Sequence, residues 1–171
     1  AQIRTVFARS YFDWRKMRHV ETMLSRAAAY YEDLTKAQQF PYPHLYLSEV
    51  YVMQARYLSI KKRGKIRKMK RRRRRERERE KMYLMINERL DDAEEIICLN
   101  LDRKHRRYAH ILRLRAFFLL ERAWEIIQED RGTISREAMD LIEQAEELYQ
   151  QEIAIRVDFF CAEVHPTISR A

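Results

Sequence analysis

The chain has 171 residues, 46% hydrophobic and 36% charged, with a formal net charge of +9, two glycines, three prolines and two cysteines. So few turn formers exclude sheet folds built on tight hairpins and glycine-rich phosphate loops, and the abundance of Leu, Ala, Glu, Arg, Lys, Gln and Met predicts an all-α chain. No apolar run reaches the ~20 residues that a membrane span needs, so no membrane partner is expected.

Turn signals divide the sequence into helices at about 2–15, 18–38, 43–80, 81–100, 103–130 and 135–161, with another starting near 166. Pro41 and Pro43 interrupt the first half, and Asn100 to Asp102 weaken the apolar period. Gly132, Thr133 and Ser135 form a stop followed by a new N-cap, and His165-Pro166 ends a further stretch. Cys98 and Cys161 stand among apolar residues, where a free thiol packs as a small hydrophobe, and this usage predicts a reducing, cytoplasmic setting.

Alternate helices carry a matching small-to-large pattern. In one set Ala27 precedes Tyr31 and Leu34, Ala93 precedes Ile97 and Leu101, and Ala145 precedes Tyr149 and Ile153. A residue four positions on lies above the alanine on the same face, so a neighbouring helix can approach at the small side chain. In the other set Ala8, Ala55 and Ala116 stand beside large residues, and Ala171 would begin a fourth. Ala8 to Ala27 is 19 positions and Ala55 to Ala93 is 38, which falls to 18 when residues 61–80 are removed. These twenty residues are therefore read as a basic helical insertion in an array of about three repeats over 1–171. An array that starts and stops inside repeats is expected to be a piece of a longer one.

The insertion holds fourteen Lys or Arg against three Glu, a balance of +11, and leaves the rest of the chain at −2. Three readings stand. It is a solvated helical rod, with Arg72, Arg73, Arg75 and Arg77 paired along the helix to Glu76, Glu78 and Glu80. It is a polyanion contact through Arg71, Arg72, Arg73, Arg74 and Arg75, either to an acidic protein surface such as a tubulin tail or to nucleic acid. Or Lys61-Lys62-Arg63 and Lys70 to Arg75 form a nuclear-import signal. The segment has no aromatic residue for base stacking, which puts nucleic acid second.

Catalytic and metal chemistry lack their residue patterns. His19, His44, His105, His110 and His165 are scattered, without the paired spacing of a zinc helix, and no nucleophile elbow or Cys-x-x-Cys occurs. Acidic groups at Asp91, Asp92, Glu94 and Glu95, and at Glu143, Glu146 and Glu147, alternate with apolar residues at helical spacing and read as wet faces. Tyr30, Tyr31, Tyr42, Tyr46, Tyr51 and Tyr57 read as packing groups. No enzyme, cofactor or metal is expected.

Residues 145–156 read Ala-Glu-Glu-Leu-Tyr-Gln-Gln-Glu-Ile-Ala-Ile-Arg and lead to His165-Pro166, while Asp92 to Ile97 repeats the start of that helix and Pro43-His44 stands in the place of the His-Pro. The pattern resembles a tetratricopeptide repeat of the kinesin light chain type. That resemblance implies a right-handed α-solenoid of antiparallel helix hairpins, with a concave face that binds peptides of other proteins in a larger assembly. On this reading the chain is a non-catalytic scaffold or adaptor, able to meet an acidic or cytoskeletal surface through its insertion. Arg56, Tyr57, Arg113 and Arg115 are the expected groove contacts; the alternative is a ribonucleoprotein subunit that grips phosphates with residues 61–80.

Overall fold

The computed structural model describes residues 17–37, 43–67, 69, 72–129 and 132–164. Regular structure among them is entirely helical: α1 (Met17–Ala37), α2 (Leu45–Arg67), α3 (Arg72–Asn100), α4 (Arg106–Glu129) and α5 (Arg136–Val164). The expected helix at 2–15, Ala8, Ala171, His165 and Pro166 lie outside the described residues. The chain divides after Asn100 into two compact units, the first holding α1 to α3 and the second α4 and α5.

In the first unit the helices pack antiparallel in chain order. Val20, Leu24, Ala27 and Tyr31 of α1 follow one another at spacings of three and four, as do Ile86, Leu90, Ala93 and Ile97 of α3, and all eight are buried. This spacing gives each helix one apolar stripe. Helix α2 is flanked on both sides, so its buried residues (Val50, Met53, Ala55, Tyr57 and Leu58 among them) run around more than one face. Rings seal the α1–α2 connection. His44 stacks on Tyr31 at 5.1 Å and on Tyr46 at 5.4 Å, while the Thr35 hydroxyl donates to the Tyr31 carbonyl and accepts from the His44 amide.

The second unit is an antiparallel hairpin whose contact layer includes Ala123, Ala138 and Leu141, with Leu119, Ile126, Ile127 and Ile142 against it. Gly132 has φ +89°, a left-handed conformation that suits glycine, and its amide bonds to the Ile127 carbonyl at 2.8 Å to close α4. Ser135 caps α5, its hydroxyl accepting from the Ala138 amide. The stop and restart expected here are thus both present. Helix α5 outruns its partner: Phe159 already reaches His105, just before α4, and Cys161 beyond it is exposed instead of packed.

Every alanine of the spacing pattern that falls among the described residues is buried: Ala27, Ala55, Ala93, Ala116 and Ala145. Their large followers divide. Tyr31 and Ile97 are buried, Leu34, Leu101 and Tyr149 are half-buried, and Ile153 is exposed.

Helices α2 and α4 also begin alike. His44 precedes α2, its Nδ1 accepting from the Tyr46 amide and its carbonyl from Leu47; His105 precedes α4, its Nδ1 accepting from Arg107 and its carbonyl from Tyr108. Each histidine stands eleven residues before its alanine, Ala55 or Ala116, and Val50 and Ile111, Met53 and Leu114, Tyr57 and Phe118 match in burial at the same offset. Two helices of different sequence thus share one capped start and one pattern of burial.

One boundary differs from expectation. The helix predicted over 43–80 ends at Arg67, and the next one begins at Arg72 instead of 81. Met69 donates to the Ile66 carbonyl in the turn between them. The reversal falls where apolar residues run out, because Met82, Tyr83 and Ile86 must fold back onto α2 to be buried. The described residues of 61–80 are therefore the last turns of one helix and the first turns of the next, on the two sides of a hairpin tip, where a single continuous helix was expected.

Candidate polyanion interface at the hairpin tip

Several cations of the tip are engaged by groups on neighbouring helices. Lys61 reaches Glu21 on α1 at 2.9 Å, and the Tyr57 hydroxyl donates to the same carboxylate at 2.7 Å. These two donors hold the Glu21 carboxyl below the usual carboxylate range, with Lys61 the larger cause, and desolvation pushes the Tyr57 hydroxyl well above the ordinary phenol value. Lys62 is fully buried, its ammonium 3.8 Å from the centroid of the Tyr83 ring. Lys65 pairs with Glu78 across the hairpin, and that bond lowers the Glu78 pKa. Glu78 thus serves the hairpin first, with Lys81 and Arg74 of its own helix adding smaller attraction.

What faces solvent is Arg63 on α2 and Arg73, Arg74 and Arg77 on α3, with Glu76 and Glu80 among them. Arg75 is half-buried. Arg71 and the side chain of Arg72 lie outside the described residues. The first turn of α3 carries no acidic residue. A helix N-terminus already has partial positive charge and unsatisfied amides, so arginines there add to its field and do not neutralise it. The position suits anionic groups.

A second feature occupies the other end of the same three helices. Glu32, Thr35 and Lys36 of α1, Pro43, Leu47 and Tyr51 at the start of α2, and Asp92, Glu95 and Ile96 of α3 line an open cleft of about 310 Å³. Tyr51 donates to Glu32 at 3.1 Å, Arg89 reaches Asp92 at 2.8 Å, and the Arg89 guanidinium lies 5.4 Å from the Tyr51 ring centroid. Burial and the nearby Glu32 push the Tyr51 hydroxyl up to about 12. Sequence reasoning placed Tyr51 in packing and Asp92 and Glu95 on a wet face. Glu32 and Asp92 are sixty residues apart, and no local spacing signals that they share a rim.

The expected groove residues separate. Arg56 is exposed on α2, whereas Tyr57 beside it is buried and turned to Glu21. Arg113 is exposed and Arg115 half-buried on α4. Other large apolar groups face solvent in the second unit, with Trp124 at 62% and Phe160 at 64% exposure. Composition did not signal these.

Among the described residues no three His, Cys, Asp or Glu side chains stand close enough to hold a metal ion, and no helix is long and apolar enough to cross a membrane. Comparison with family models, with curated proteins and with solved structures finds no match to the chain.

Proposed function

We propose that the chain is a non-catalytic interaction module, a tetratricopeptide-like array of helix hairpins that binds other proteins of a larger assembly and docks on an acidic surface through its basic hairpin tip. The observation that carries the reading is the division of charge at the tip. Lys61 and Lys65 are held in ion pairs to neighbouring helices and Lys62 is buried, while Arg73, Arg74 and Arg77 are exposed on the opening turns of a helix whose first turn carries no acid. The equivalent histidine-capped starts of α2 and α4 support repeated hairpins, and the exposed Trp124 and Phe160 support protein contacts in the second unit.

An acidic protein surface is preferred to nucleic acid for a chemical reason. Tyr57 and Tyr83, the aromatics that flank the tip on its two helices, are both buried and offer no face for base stacking, so the tip would grip phosphates without reading bases. A cytoskeletal partner such as tubulin, with its acidic tails, fits this chemistry.

The test is a nuclease-treated pull-down from cell extract with the full chain and with R73Q/R74Q/R77Q. Loss of protein partners with the variant supports tip docking; partners that vanish on nuclease treatment alone favour the ribonucleoprotein alternative. Unchanged partners in both sink the role of the tip. The groove assignment is tested separately by Arg56→Ala/Arg113→Ala, and partner binding equal to wild type rejects it.

A further inference from the structure

The solvent face of α3 changes character along its length. Arg74, Arg77 and Lys81 come first, then Leu84 at 58% and Met85 at 37% exposure, then Glu88, the half-buried Asp92, which Arg89 already holds at 2.8 Å, and Glu95. At about 100° per residue these eight side chains fall within roughly 100° of arc, a single stripe about 32 Å long. The opposite side of the same helix carries Tyr83, Ile86, Leu90 and Ala93 into the core. The stripe is therefore held at fixed orientation on a packed element.

The order of charges is its own complement. Turned end for end about a point between Leu84 and Met85, Lys81 falls opposite Glu88, Arg77 opposite Asp92, and Arg74 opposite Glu95, with Leu84 and Met85 meeting at the centre. A two-fold axis there repeats each pair, giving six opposite-charge pairs around an apolar middle, which is the self-matching pattern of an isologous contact. Parallel pairing would set every charge against its like, so the stripe also specifies direction. None of this involves Lys61, Lys62 or Lys65, which are directed to other partners.

We infer that the outer face of α3 is a homodimer interface, on which a second copy of this chain lies antiparallel. Eight side chains per copy cover less than the roughly 800 Å² per partner of a standard stable interface, so the dimer is weak, reversible and salt-sensitive. At the outer ends Arg74 of one copy reaches the rim of the cleft of the other through Glu95. The dimer shares Arg74 and Arg77 with the docking role given to the tip and leaves only Arg73 outside the paired stripe, so the two contacts exclude each other at those side chains; E88K/E95K, which keeps all three arginines, separates them.

Charge reversal tests the inference in solution. Sedimentation equilibrium of the full 171-residue chain, at about 100 µM in about 50 mM and about 500 mM salt, should show a dimer that weakens about tenfold or more at high salt. R74E/K81E makes both ends of the stripe acidic and E88K/E95K makes both ends basic, so each should be monomeric alone. Mixed together they should form a 1:1 heterodimer, because every facing pair is again opposite. A monomeric wild-type chain at low salt overturns the inference, as does association that survives in both variants or a mixture that stays monomeric. Helicity is checked by circular dichroism, and a variant that loses it is replaced by R74Q/K81Q or E88Q/E95Q, which should weaken the dimer without restoring it on mixing.

Discussion

The ammonium of Lys62 on α2 rests 3.8 Å from the ring centroid of Tyr83 on α3, and both side chains are buried. A cation taken out of water is costly unless something replaces its hydration, and the face of an aromatic ring does so in part. Tyr83→Leu removes that face while the charge stays, and is expected to destabilise the chain by about 2–3 kcal/mol. Adding Lys62→Met should recover a good part of the loss, since the stem of the lysine remains and the buried charge goes. Chemical denaturation of the two single variants and the double variant measures the coupling; simple additivity would reject the pairing as an energetic link.

His105 starts α4 with its Nδ1 accepting from the Arg107 amide, a bond that requires the nitrogen to be unprotonated. Burial first, then Arg107 and Arg106, lowers its pKa below the ordinary value of 6.5. A histidine with a lowered folded pKa binds its proton more readily when unfolded, so its contribution to stability is complete above about pH 6.5 and is lost as pH falls through the folded value. Melting temperature should therefore drop on acidification below pH ~6.5. His105→Asn, which caps at any pH, should flatten that part of the profile.

Glu21 and Glu78 extend the pH argument to more acid solution. Both have lowered pKa values, caused chiefly by hydrogen bonds from Lys61 and Lys65. The sign is the usual carboxylate one: stability present above pH ~4.5 is lost as pH falls through the lowered folded values. Both ion pairs are open to solvent on the lysine side, so each contributes modestly. Glu21→Gln should reduce the acid sensitivity and leave the neutral fold intact, as followed by circular dichroism between about pH 5 and pH 2.

Ala55 and Ala93 are fully buried at helix contacts, where only a small side chain fits. Ala55→Leu or Ala93→Leu should cost about 1–3 kcal/mol by overpacking. Ala154→Leu, at an exposed position of α5, should change stability by no more than about 0.5 kcal/mol. Denaturant midpoints compare the three directly. Equal effects would deny the alanine spacing its packing role.

At the tip, R73Q/R74Q/R77Q should lower affinity for poly-glutamate about tenfold or more at low salt and flatten the dependence on salt, because three cations no longer release counterions from the polyanion. A Lys61→Gln control should bind nearly as wild type, since Lys61 is already held by Glu21. Fluorescence anisotropy with a labelled peptide reads both.

The helical class, the placing of α1, α4 and α5 and the burial of Ala27, Ala55, Ala93, Ala116 and Ala145 were legible in the sequence, because apolar spacing and capping residues act locally along a chain. The Gly132 stop and the Ser135 cap were legible for the same reason. Charge density alone located the basic segment. What that segment becomes was decided by tertiary packing: the chain turns between Arg67 and Arg72 so that Met82, Tyr83 and Ile86 can be buried on α2. The packing of α2 between its two neighbours divides the cations, directing Lys61 to Glu21 on α1 and Lys62 to Tyr83 and Lys65 to Glu78 on α3, and leaving Arg73, Arg74 and Arg77 in solvent. The packing of all three helices also gathers Glu32, Tyr51 and Asp92 around one cleft. Contacts between residues so distant in sequence arise only when helices pack, since local spacing specifies which face of a helix is apolar but not which helix covers it.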